Sequence, residues 1–119
     1  MTVITRRRSL GLIAGAVAAP ALARAQGAWS PSRTITMVVP YPAGGPTDAI
    51  GRIVAKELEA ILKVSVVVDN RAGASGAIGT RSVARGDADG HLIIFGNNQT
   101  HGSNQFLLRE PGYDPQKDF

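Results

Sequence analysis

The sequence predicts an α/β fold built on a parallel sheet. Two observations predict it. Short β-branched apolar runs alternate with segments whose apolar residues recur at helical spacing, in the order β-α-β-α-β. The segments between the runs are short crossovers, and such crossovers return the chain parallel, with right-handed connections. Three strands joined in this way are half of a doubly wound domain.

The elements follow in order. Residues 26–33 form a polar, proline-containing lead-in. Thr34-Ile-Thr-Met-Val-Val39 is β-branched and almost continuously apolar, as suits a strand covered on both faces. Pro40-Tyr-Pro-Ala-Gly-Gly-Pro46 then ends regular structure, and Thr47 or Asp48 offers a side-chain cap for a helix. Ile50, Ile53, Val54, Leu58, Ile61 and Leu62 make one apolar stripe at helical period. Arg52, Lys56, Glu57 and Glu59 fall mostly off it. Val64-Ser-Val-Val-Val68 is a second strand, and residues 69–79 are a second glycine-rich turn. Residues 77–85 predict a short helix, with Ile78 and Val83 as its largest apolar side chains. Gly86-Asp-Ala-Asp-Gly90 is a turn, and Leu92-Ile-Ile-Phe95 a third strand. Residues 96–104 are polar, and Phe106-Leu-Leu108 closes a short helix.

Composition narrows the function. A chain of 119 residues fits one small domain, and 44% hydrophobic side chains is too apolar for a disordered chain. No apolar run approaches the roughly 20 residues that span a bilayer as a helix. The absence of cysteine excludes disulfides, thiolate zinc sites and thiol nucleophiles. Two histidines, His91 and His101, are too few and too far apart in sequence to predict a metal site. No metal and no cofactor is expected. The net charge of +4 and pI near 10.1 invite a nucleic-acid reading. Arg6, Arg7, Arg8 and Arg24 account for it: from Gln26 onward nine basic residues face nine acidic ones. No basic stripe remains, and no nucleic-acid partner is expected.

Residues 1–25 read as a cleaved export signal. Arg6-Arg7-Arg8 is the positive region, residues 10–19 the apolar region, and Ala23-Arg-Ala25 the small-x-small cleavage site. The cut is expected after Ala25, leaving residues 26–119. Thr5-Arg6-Arg7 also partly matches a twin-arginine signal. Either route places the product in the periplasm.

Ligands of open parallel sheets bind outside the carboxyl ends of the strands. The loops leaving those ends are residues 40–48, 70–79 and 96–104. The first two are glycine-rich and run directly into helices, where backbone approaches a ligand closely and free N–H groups favour an anion. The third carries Asn97, Asn98, Gln99, Thr100 and His101, all able to hydrogen-bond. Taken singly, each turn is also explained by tight strand-on-helix packing, and Asp48 by a plain helix cap. Gly73-Ala-Ser-Gly-Ala-Ile-Gly79 is neither the dinucleotide fingerprint nor a P-loop. Asp87-Ala-Asp-Gly90 lacks the distal acid of a calcium loop. An exported α/β hydrolase-like enzyme using Ser75 or Asp48 with His101 is the alternative chemistry, although Ser75 has no evident relay. A non-functional remnant is a further alternative.

Val39-Pro-Tyr-Pro-Ala-Gly-Gly-Pro-Thr-Asp48 and Val66-Val-Val-Asp-Asn-Arg-Ala-Gly-Ala-Ser-Gly-Ala-Ile-Gly79 resemble the two signatures of the tripartite tricarboxylate transporter substrate-binding proteins, the Bug receptors. Ala88-Asp-Gly-His-Leu92 and Tyr113-Asp-Pro-Gln-Lys-Asp-Phe119 match in order and spacing, so the resemblance covers residues 33–119. It implies a type II periplasmic-binding-protein flytrap, of which this chain is the first βαβαβ part of lobe 1, ending before lobe 2. It implies a receptor that does no chemistry, captures a small carboxylate, works as a monomer, and hands its ligand to a membrane permease or reports it to a sensor protein. By the same likeness Ala43, Gly44, Gly45, Thr47 and Asp48 lie against the ligand, with Ala74, Ser75, Gly76 and Asn97. Ala43 and Ala72 stand where the family commonly has proline, and Ser75 where glycine is frequent.

Overall fold

Three parallel strands stand in the order β2-β1-β3, the arrangement expected of a βαβαβ unit. They are β1 (Ile35–Val39), β2 (Val66–Asn70) and β3 (Leu92–Ile94). Helix α1 (Pro46–Leu62) joins β1 to β2, and α2 (Ala77–Ala84) joins β2 to β3. A short α3 (Asn104–Leu107) follows. The computed structural model describes residues 29–119, of which Pro31–Phe119 form one compact unit. The export signal read at residues 1–25 lies outside the described residues.

β1 is the central strand and the most buried. Ile35 pairs with Val66 on one side, and Thr36 pairs with Leu92 on the other. Ile35, Met37, Val38 and Val39 are buried, so both faces of the strand are covered, as its composition requires. Ile35 and Met37 meet Ala55 of α1 and Val66 of β2, ringed by Val54, Leu58, Leu62, Val68, Ile93 and Phe95. Burying each large aliphatic side chain here contributes roughly 1.5–3 kcal/mol. Helix α2 lies against β3 and β1.

Three expectations are corrected. The apolar stripe of α1 is buried only in part: Val54, Leu58 and Leu62 pack against the core, Ile50, Ile53 and Ile61 are exposed, and the fully buried positions are Asp48, Gly51 and Ala55. The helix approaches the sheet through small residues. A Cβ on Gly51 would stand 3.1 Å from Val39 Cγ2 and 3.4 Å from Phe95, so a larger residue there would press on both side chains. The same holds for α2, where Ile78 is exposed and Ala77, Gly79 and Thr80 are buried. Second, α1 begins at Pro46 with Gly45 as its N-cap, so neither Thr47 nor Asp48 caps it. Proline suits this first turn, where its missing N–H costs nothing. Third, β2 runs two residues later than expected and takes in Asp69 and Asn70. Val64 and Ser65 precede it, with the Ser65 carbonyl still accepting the Ile35 N–H at 2.9 Å.

Candidate ligand-binding site

The strand order puts a topological switch point at the carboxyl end of β1, since the chain leaves β1 toward β2 and then crosses back to β3. All three strand-end loops meet there. Gly76 marks the junction: a Cβ on it would lie 2.8 Å from Thr100 Cγ2, 3.4 Å from the Pro40 carbonyl and 3.4 Å from the Tyr41 hydroxyl. Those atoms belong to the first and third loops. Its φ of +84° is a second reason that glycine stands there.

The first loop turns at Ala43, Gly44 and Gly45, and Gly44 has φ +80°. Ala43 and Gly44 are exposed. Thr47 lies in the first helical turn, where N–H groups have no partner within the helix. Asp48 is different. Its side chain is buried, and its carboxylate is already engaged by the protein. Oδ2 accepts the Gly44 N–H at 2.8 Å and Arg52 Nε at 3.0 Å, and Oδ1 accepts Asn70 Nδ2 at 2.9 Å. Arg52 also donates to Asn70 Oδ1 at 3.1 Å, and Asn70 donates to the Tyr41 carbonyl at 3.1 Å. The Arg52 hydrogen bond, followed by those from Gly44 and Asn70, holds the Asp48 carboxyl at about 2, well below its usual 3.8. The carboxylate therefore ties the first loop to α1 and to Asn70 at the end of β2.

The second loop is a strained turn. Ala74 and Ser75 adopt φ +47° and +55°, between Gly73 at +127° and Gly76. Two consecutive side-chain-bearing residues in the left-handed region cost on the order of 1–2 kcal/mol each. Ala74 and Ser75 are exposed on this turn. Gly79, the last glycine of the run, serves packing: a Cβ there would lie 2.7 Å from the Arg71 carbonyl and 2.9 Å from Pro40 Cβ.

In the third loop Asn97 Oδ1 accepts the Gln99 N–H at 2.9 Å and the Tyr41 hydroxyl at 2.9 Å. The expected polar loop is partly helical, with a wide π-type turn over Gln99–Ser103 running into α3. Thr100 is fully buried and pairs through Oγ1 with His101 Nδ1 at 2.9 Å. An open hollow of about 270 Å³ is lined by Ile94, Gly96, Asn97 and His101.

These pairings bear on the hydrolase alternative. His101 Nδ1 is met by Thr100 and the Asp48 carboxylate by Arg52 and Asn70. Among the described residues, Ser75 Oγ has no hydrogen bond to either His101 or Asp48. The described residues hold no cluster of three or more His, Cys, Asp or Glu able to bind a metal, and none of their helices is long and apolar enough to cross a membrane. Two cations of the loop region are engaged, Arg52 as above and Arg71 with Asp69 at 2.8 Å and Ser82 at 2.8 Å.

The sequence reading missed four residues that shape this site: Arg52, Asn70, Asn104 and Tyr113. Asp48 and Arg52 carried a readable signal, opposite charges four apart on a helix. The others join loops distant in sequence and carried none.

The model of the tripartite tricarboxylate transporter family receptor matches residues 50–119. The chain belongs to this receptor family. The UPF0065 protein of the tcbD–tcbE intergenic region in a Pseudomonas species is 40% identical over 116 residues, which are 98% of this chain and 34% of that protein. BugT of Bordetella pertussis is 46% identical over 68 residues, covering 57% of this chain and 21% of that protein. The chain thus spans about a third or less of the curated relatives it matches. MatC of Rhodopseudomonas palustris with bound malate superposes with a TM-score of 0.72 at 39% identity, over 75% of this chain and 30% of that one. The Rpa4515 protein of R. palustris with adipate gives 0.69 at 42% identity, over 72% and 29%. The periplasmic binding protein BugD gives 0.68 at 40% identity, over 75% and 29%. The α/β fold of this receptor-family chain is therefore that of the matched part of periplasmic binding proteins.

Proposed function

We propose that the chain forms the N-terminal part of lobe 1 of a periplasmic receptor that captures a small carboxylate and leaves it chemically unchanged. The observation that carries this reading is the convergence of three strand-end loops at one switch point. Two of them run into helices and carry the exposed residues Ala43, Gly44, Ala74 and Ser75. Backbone N–H groups at such helix starts suit a carboxylate. Thr47 and Asn97 add side-chain hydrogen bonds, Gly45 and Gly76 shape the backbone, and Asp48 holds the first loop in place. Malate in MatC and adipate in the Rpa4515 protein support the ligand class. Export by the leader of residues 1–25, a second wall supplied by lobe 2, and delivery to the membrane permease of a tripartite transporter belong to the same proposal. A sensor protein is the other partner to test.

Calorimetry on the intact natural protein tests it, with malate and adipate set against their uncharged diamides. Saturable binding of an acid and none of its diamide is expected. Equal binding of acid and diamide, or turnover of either, would overturn the reading.

A further inference from the structure

We propose that Asn104 is the positioning residue of the second loop, and this rests on the receptor reading above. The loop needs one. Residues 73–76 all have positive φ, and Ala74 and Ser75 do so without the freedom of glycine. The turn's own closure is a Gly76 N–H donated to the Gly73 carbonyl at 3.0 Å. The central carbonyl, that of Ser75, is held from 29 positions downstream: Asn104 Nδ2 donates to it at 3.0 Å.

The donor is itself fixed. Tyr113 gives its single hydroxyl proton to the Thr100 carbonyl at 2.6 Å, which leaves the phenol oxygen as an acceptor. The second Asn104 N–H donates to that oxygen at 3.2 Å. Both partners of the carboxamide are acceptors, so only its NH₂ end can face them. Asn104 is 1% exposed, and its Oδ1 is buried with no partner. A buried unmatched carbonyl is destabilising. Despite that unmatched oxygen, the side chain is fixed by its two donated hydrogen bonds and sets the geometry of the Ser75 carbonyl. Through Thr100 and Tyr113 it also ties the second loop to the third.

The test compares Asn104→Leu, Ser75→Gly and the double variant in the intact natural protein. NMR shifts of residues 74 and 75 and amide exchange over residues 75–77 read the loop without ligand. Calorimetry with malate and adipate reads affinity, and urea midpoints read stability. Asn104→Leu is expected to lose the left-handed shifts, speed exchange and weaken binding about ten-fold. Glycine at position 75 takes the left-handed conformation without steric cost. The double variant should therefore bind like Ser75→Gly alone while keeping the lowered urea midpoint. Tyr113→Phe is the milder variant, expected to give the same change at smaller size should Asn104→Leu fail to fold. Unchanged loop shifts, or affinity that falls in step with stability and is not recovered, would overturn the proposal. If the natural protein takes up neither acid, the receptor reading fails, and the ligand-free loop shifts still decide the role of Asn104.

Discussion

Arg52 Nε lies 3.0 Å from Asp48 Oδ2, one helical turn away, and the same oxygen accepts the Gly44 N–H at 2.8 Å. An ion pair on the first turns of α1 thus ends on the backbone of the first strand-end loop. The arrangement is a close cousin of a capping box, in which an acid at the third helical position reaches back to an N–H before the helix. Here it reaches one residue further, to Gly44.

This network makes stability depend on pH in a defined direction. The Asp48 carboxyl is lowered to about 2 by Arg52, Gly44 and Asn70, against 3.8 ordinarily. A carboxyl depressed in the folded state stabilises it above the unfolded pKa, and that contribution is lost as pH falls through the folded one. Asp48→Asn should therefore be less stable than the parent at neutral pH, with the difference shrinking between about pH 4 and pH 2. Urea midpoints of both proteins across that range check it. A gap that stays constant down to pH 2.5 or so would contradict the assignment. Asp89 and Asp114 are lowered too, so the comparison with Asp48→Asn, and not the parent curve alone, isolates the effect.

Tyr41 links the first loop to the third. Its hydroxyl stands 2.9 Å from Asn97 Oδ1 and 3.1 Å from Gln99 Oε1, and its single proton serves one of them at a time. Tyr41→Phe removes one exposed hydrogen bond, worth about 0.5–1.5 kcal/mol at most. Affinity for the acid should fall several-fold, with a urea midpoint close to the parent's. Calorimetry and urea titration on the same preparation separate the two effects.

Gly79 and Gly44 are glycines for different reasons, and alanine distinguishes them. At Gly79 the new Cβ would meet backbone and proline atoms at 2.7–3.0 Å, which cannot yield easily. Gly79→Ala should cost about 1–3 kcal/mol through overpacking. At Gly44 nothing lies within 4 Å, but φ is +80°. Gly44→Ala should cost on the order of 1 kcal/mol through backbone strain alone. Urea unfolding of the two variants gives the order directly.

Export predicts a processed terminus. If residues 1–25 are removed on export, mass spectrometry of the exported product of the natural gene finds a chain beginning at Gln26. A product that retains Met1 would contradict the leader reading.

Alternating apolar runs, the proline and glycine breaks, and two glycine-rich loops determined the strand–helix order, the parallel sheet and the position of the candidate site. Those features are local, because strand burial, helical period and turn chemistry depend on neighbours within a few residues. Family resemblance extended the reading to the receptor class. Tertiary structure alone decided which side of α1 is buried, since Ile50 and Ile53 belong to the same helical stripe as Val54 and Leu58, yet the sheet is met by Gly51 and Ala55. Periodicity reports that a stripe exists, but the distance between helix and sheet selects the small residues that touch. It also decided that the Asp48 carboxylate faces Arg52, Asn70 and the Gly44 N–H, and that Asn104 reaches Ser75. The bonds from Asn70 and Asn104 join residues 22 and 29 positions apart, which only the folded chain brings within hydrogen-bond distance. No local pattern encodes such a pairing, because its partners share no turn, face or period until the sheet has formed.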